Sequence, residues 1–226
     1  MSSYMFRQRC RARGDFRVNE IREFLSLLKA AFHWPAVYDS RSKVVDLSEK
    51  ALRETLVKKT DKLFPGIGAS LSFFSIPPRD RDDNTRFVEI HTGTQSGERF
   101  NDTYSVSLGD GSDVSDLVPF LGSITIFRPF EAFIQEDENE YRLDAYDRQN
   151  ATPGFVVPAI IRGFHYLDEE MADSIGGIEY CLEAPAWDVQ EFCEGVLIRL
   201  VPGLFDPDNP EHLRIQMQAM EYFGLL

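Results

Sequence analysis

A chain of 226 residues with 43% hydrophobic and 27% charged side chains carries enough apolar surface for a sizeable core, which excludes wholesale disorder. Its net charge of −13 is uneven: residues 1–66 hold 14 basic and 8 acidic side chains (+6), and residues 67–226 hold 10 and 29 (−19). An acidic body disfavours nucleic acid and anionic membranes and favours a basic partner, or serves solubility alone.

No apolar run reaches the roughly 18 residues of a spanning helix. The first residues, Met1-Ser-Ser-Tyr-Met-Phe-Arg, lack the apolar core of a signal peptide. Cys10, Cys181 and Cys193 fit neither a disulfide framework nor a zinc or redox spacing. The expectation is a cytoplasmic single domain over 1–226, with 1–66 and 67–226 as candidate subdomains.

Taken in order, residues 4–13 alternate, with Arg7, Arg9, Arg11 and Arg13 on one parity and Phe6, Cys10 and Ala12 on the other. This period predicts a strand, and its arginines favour an edge strand over an anion site. Asp15 is placed to cap a helix through about Phe32, with Ile21, Phe24, Leu25 and Leu28 inward, stopped at Trp34-Pro35. Asp46-Leu-Ser-Glu49 reads as the capping box of a second helix that carries Leu52, Leu56 and Leu63 inward and ends at Pro65-Gly66. Glu49 and Arg53 are spaced for a surface ion pair.

The period then changes to two. Residues 69–76, 86–91 and 103–108 read as strands of an antiparallel meander, and a helix is expected around Val114–Leu121. Gly109-Asp-Gly-Ser-Asp lacks the ligand spacing of a calcium loop. Further on, Gly154–Leu167 and Gly195–Pro202 read as buried strands. Asn209 and Pro210 read as the cap and first residue of a closing helix that is apolar on two sides, with Leu213, Met217 and Met220 on one and Ile215, Ala219 and Tyr222 on the other. The fold expected is α+β: an antiparallel sheet of about five to seven strands, N-terminal helices and a C-terminal helix.

Reaction chemistry is not legible. The four histidines, His33, His91, His165 and His212, form no zinc-binding pair, and His165 beside Asp168 and Glu169 is the nearest approach to a ligand cluster. Nucleophile-elbow, phosphate-loop and dinucleotide glycine patterns are missing. No catalytic residue, cofactor or metal is expected, and the chain reads as a binding protein rather than an enzyme. The densest acidic stretch follows Arg128-Pro-Phe: Glu136, Asp137, Glu138, Glu140, Asp144 and Asp147, interleaved with Tyr141 and Tyr146. Carboxylates give charge steering and tyrosines give interface anchors, so these eight residues are the candidate partner-binding site.

The last 65 residues or so carry a resemblance. Gly163-Phe-His-Tyr-Leu-Asp-Glu-Glu-Met-Ala, then Glu194-Gly-Val-Leu-Ile-Arg-Leu-Val-Pro-Gly-Leu-Phe-Asp, then Asn209-Pro-Glu-His with Gly224-Leu-Leu226 resembles bacterial type VI secretion effector immunity proteins. The family it looks like is the immunity family numbered fifty-two. The resemblance implies a cytoplasmic antidote that binds a cognate basic toxin, of nuclease type, and neutralises it. An acidic scaffold protein and a hydrolase built around His165 are the rival expectations.

Overall fold

A computed structural model of the chain describes residues 4–80, 85–95, 101–107, 117–136 and 157–226. Among these residues, nine strands form one antiparallel sheet: β1 (Tyr4–Arg11), β2 (Tyr38–Asp39), β3 (Ala69–Phe74), β4 (Phe87–Thr92), β5 (Asn101–Ser107), β6 (Glu131–Glu136), β7 (Phe164–Asp168), β8 (Asp188–Phe192) and β9 (Gly195–Arg199). Their spatial order is β2-β3-β4-β5-β1-β6-β7-β9-β8. Among the described residues, six α-helices accompany them: α1 (Val18–Ala31), α2 (Glu49–Lys59), α3 (Leu117–Phe127), α4 (Glu169–Asp173), α5 (Ile178–Leu182) and α6 (Pro210–Tyr222).

The architecture is α+β as expected, but the sheet exceeds the five to seven strands read from the sequence. The additional strands carry weak signals. β2 has two residues, β8 is a polar edge strand whose residues are all at least partly exposed, and β6 begins with a glutamate that the fold buries. Period-two alternation identifies strands with one wet face, and none of these three has one in clean form.

Register explains where the core sits. Phe6 lies between Val106 and Ile134, Ile134 faces Phe164, and Tyr166 lies between Ala132 and Leu197. These side chains share one face of the sheet, and α1, α2 and α3 pack on it. Phenylalanines dominate the layer: Phe24 meets Phe127 edge-on at 5.1 Å between ring centroids, and Phe120 meets Phe6 at 5.6 Å and Phe164 at 5.0 Å. Each such pair adds about 0.5–1.5 kcal/mol beyond its buried area. The opposite face is covered by a second cluster, in which Leu167, Val196 and Ile198 meet Met171, Cys181, Ala219, Met220 and Phe223 from α4, α5 and α6.

Several local expectations are corrected. β1 is not an edge strand but lies between β5 and β6. Its arginines do not guard an edge; Arg9 and Arg11 are matched by acids from other strands and helices. α1 starts at Val18 behind Arg17, which adopts a left-handed φ of 43°, so Asp15 is not its cap. The Arg17 side chain is held instead by Asp102 and by the carbonyls of Arg11 and Phe127. α2 is capped by Ser48, whose hydroxyl accepts from the Ala51 N–H, while Asp46 accepts from the Ser48 N–H. The helix stops at Lys59, and Leu63, expected inside, is 84% exposed. The Glu49–Arg53 pair forms at 3.1 Å.

In the C-terminal third, Asn209 caps α6 with Pro210 at its first position, as read. α6 is not apolar-packed on both sides: Ala219 and Met220 are buried, whereas Leu213 and Met217 are 42% and 51% exposed. Two glycines are required by close approach. A Cβ on Gly195 would stand 2.2 Å from the Leu167 carbonyl, and one on Gly163 would stand 2.1 Å from the Phe205 Cβ. No helix among the described residues is long and apolar enough to cross a membrane.

Candidate functional site

The candidate partner-binding residues fall mostly outside the described part of the chain. Glu136 is the last residue of β6, opposite Tyr4 of β1. Asp137, Glu138, Glu140, Tyr141, Asp144, Tyr146 and Asp147 lie outside the described residues. What the structure does describe is the base from which that stretch departs and to which the chain returns.

Glu131 opens β6 and is 2% exposed. Antiparallel pairing sets it opposite Arg9 of β1 on one side and Leu167 of β7 on the other. A guanidinium nitrogen of Arg9 lies 2.7 Å from its Oε2. Its Oε1 faces the Nε2 of His165 at 2.9 Å and the Arg162 guanidinium at 3.5 Å. The Arg162 backbone N–H donates to Nδ1 of the same imidazole at 3.2 Å. Since Nδ1 accepts, Nε2 carries the hydrogen and donates to Glu131. Phe133, next on the same face of β6, is covered by the Arg162 guanidinium at 3.7 Å from its ring centroid and approached by Arg9 at 5.2 Å.

Burial alone would push the Glu131 carboxyl upward. The charges of Arg9 and Arg162 and the hydrogen bond from His165 outweigh it and hold the group far below the usual carboxylate range. Glu131 is therefore ionised at neutral pH and bonded to residues on both sides of the acidic stretch. Arg9 precedes it in the chain; Arg162 and His165 follow it. The network staples together the two chain segments that flank residues 137–156.

His165 is thus not a strand-end histidine beside surface acids. It is 0% exposed, sits inside β7, and has both ring nitrogens engaged. Its sequence neighbours Asp168 and Glu170 turn elsewhere, toward Arg11, and Asp168 also caps α4 by accepting from the Met171 N–H. A His–Glu hydrogen bond has the geometry of a general-base pair, and here both side chains are buried, His165 at 0% and Glu131 at 2% exposed. Sequence reasoning missed Glu131 and Arg162 as partners of His165, and Arg9 as a partner of Glu131. The one available signal was a glutamate within the apolar run Phe130–Ile134.

A second buried pair lies near the same, C-terminal end of β1, where Asp102 pairs with Cys10. Arg17 and Asp102 meet at 3.3 Å with side chains 6% and 0% exposed, and Asp102 also accepts from the Thr94 N–H at 3.1 Å. Burial is the largest influence on Asp102 and raises its pKa despite Arg17 and Thr94. Burial likewise pushes the thiols of Cys10 and Cys181 up to about 12 and about 11, so neither is a ready nucleophile. No group of three or more His, Cys, Asp or Glu among the described residues could hold a metal ion.

No family model matches the chain, and no curated protein does. Among solved structures, the chain is similar to one described as Pseudomonas aeruginosa T6SS protein PA0821, at a TM-score of 0.61 and 11% sequence identity. The match covers 99% of this chain and 73% of that one. At such low identity the likeness is one of fold: this chain has the fold of a type VI secretion system protein.

Proposed function

We propose that the protein is a type VI secretion immunity protein, which binds a cognate antibacterial toxin in the cytoplasm of the producing cell and neutralises it without catalysis of its own. The observation that carries this reading is the fold likeness to a type VI secretion protein over 99% of the chain. It adds to the resemblance of residues 163–226 to effector immunity proteins. The charge of −19 over residues 67–226 fits a basic partner, as a nuclease must be to hold a polyanion. In this reading the acidic stretch, including Glu138, Glu140 and Asp144, meets the toxin, and the Glu131 network holds the ends of that stretch together. Neutralisation of a toxin calls for affinity on the order of nanomolar, about −12 kcal/mol.

The test is co-expression with candidate toxins encoded beside the gene, together with titration of the purified pair at low and high salt. Rescue of growth with tight, salt-sensitive binding supports the reading. Charge reversal at Glu138, Glu140 and Asp144 should abolish rescue while the fold, followed by circular dichroism, is unchanged. Wild-type affinity in that triple variant would remove the acidic stretch from the interface. Absence of binding to any co-encoded toxin would end the immunity reading.

A further inference from the structure

At the far end of the sheet, on the basic N-terminal portion of the chain, the outer side of β3 opens into a groove. β2 pairs only with Phe73 and Phe74, and Thr60 bridges to Ala69. Between them, Ser70–Ser72 has no strand partner on that side among the described residues. A cavity of about 600 Å³ lies along this edge, walled by α2 and by the turn at residues 39–46. Such an opening is a template for an added strand, and natural sheets usually cover it.

The groove is also charged in one direction. Arg41 and Lys43 on the turn and Lys58 and Lys59 on the last helical turn of α2 line it, all of them exposed. None of the four forms an ion pair among the described residues. The two acids of the wall are engaged with backbone: Asp39 accepts from the N–H groups of Arg41 and Lys43 at 2.9 Å, and Asp46 from that of Ser48 at 2.9 Å. Val44, 67% exposed, adds an apolar contact at the rim.

We propose that this groove binds an extended acidic segment of a partner protein, which adds to β3 beside Ser70–Ser72 and sets its carboxylates against Arg41, Lys43, Lys58 and Lys59. An extended peptide gains main-chain hydrogen bonds from the sheet edge and side-chain recognition from the cavity beside it. Four cations with no ion pair among the described residues select carboxylates and speed encounter. A free small anion would use the cations but leave the strand edge unpaired. The site has the opposite sign to the proposed toxin-binding stretch and does not depend on that reading.

The experiment titrates a fluorescein-labelled peptide, Gly-Val-Glu-Val-Glu-Val-Glu-Gly, into the full chain and follows anisotropy, with amide shifts recorded in parallel. Expected are saturable, salt-sensitive binding and shifts confined to Ser70–Ser72, the 39–46 turn and the end of α2. Lys58→Glu with Lys59→Glu should weaken binding about tenfold or more. Arg41→Glu with Lys43→Glu, on a separate element, should do the same, so a folding defect in one variant leaves the other decisive. Unchanged affinity in a folded variant, no saturable binding, or equal affinity for a peptide with proline at its centre would each overturn the proposal. So would equal binding of the peptide with lysine in place of glutamate. Shifts in this groove that vanish on dilution without peptide would assign it to a second copy of the chain and also overturn it.

Discussion

The two halves of the sheet differ in how their second face is covered. One half runs from β2 to β1, and α1, α2 and α3 cover one of its faces with aromatic side chains, a layer that continues over Phe164 and Tyr166 of β7 and Leu197 of β9. The other face of that half carries polar residues such as Ser70, Glu89, His91, Ser105 and Arg7, with Ser70 bonded to His91 and Arg7 to Ser105. From β6 to β8, α4, α5 and α6 cover that second face with aliphatic side chains and Phe223. At the seam of β1, β6 and β7 the second face passes from polar to apolar, and there Glu131, Arg162 and His165 are buried together beside the part-buried Arg9. A buried ion network is costly unless every member is satisfied, so it belongs where a polar face must run under a covering layer.

The largest effect is expected at that seam. Glu131→Ala leaves the buried Arg162 and the part-buried Arg9 without their shared carboxylate and should cost about 3–5 kcal/mol in denaturant titration. A cost below about 1 kcal/mol would show that the network contributes little to holding the halves together. Phe24→Ala, in the aromatic layer, should cost a similar 3–5 kcal/mol. Its sharper readout is hydrogen exchange: if the halves unfold as one unit, β7 and β9 lose amide protection along with β4 and β5. Retained protection in β7 and β9 would make the halves independent.

Gly195→Ala adds a methyl against the Leu167 carbonyl and should cost about 1–3 kcal/mol, felt first where β9 meets β7. Acid should loosen the seam before the aromatic layer. Glu131 is held below its unfolded value, so its contribution is complete above about pH 4.3 and is lost as pH falls toward the folded value. Glu131→Gln should therefore flatten the acid limb of the stability curve; an unaltered limb would assign acid sensitivity to other carboxylates. The smallest effect is expected on α6, where Leu213→Ser and Met217→Ser should stay within about 0.5 kcal/mol of wild type by thermal melting, since both side chains are already exposed. A larger loss would show that these residues support the C-terminal layer.

Much of the local structure was legible from short-range chemistry. Ile21, Phe24, Leu25 and Leu28 announce α1 at helical spacing, and all four are fully buried. Asn209 with Pro210 marks the start of α6 correctly. The alternation of residues 4–13 correctly indicates a strand, because a period of two follows from backbone geometry alone. What that alternation could not say is whether the charged side faces water or buried acids, and β1 lies in the middle of the sheet for the second reason. Leu63 misled in the opposite way. Its position extends the apolar stripe of α2, but the helix ends at Lys59 and the side chain turns outward.

The site divides along the same line. Composition and order along the chain determined the charge imbalance, the acidic stretch and the capping residues, because each depends on residues close in sequence. Pairing between residues distant in sequence decided the rest: the union of Arg9 with Glu131, 122 residues apart, the closure of His165 into the core against Glu131, 34 residues away, and, among the described residues, the uncovered edge of β3 beside four cations. Those depend on strand order and register, which no local pattern encodes, since a carboxylate looks the same in sequence whether its partner is water or a guanidinium brought in by the fold.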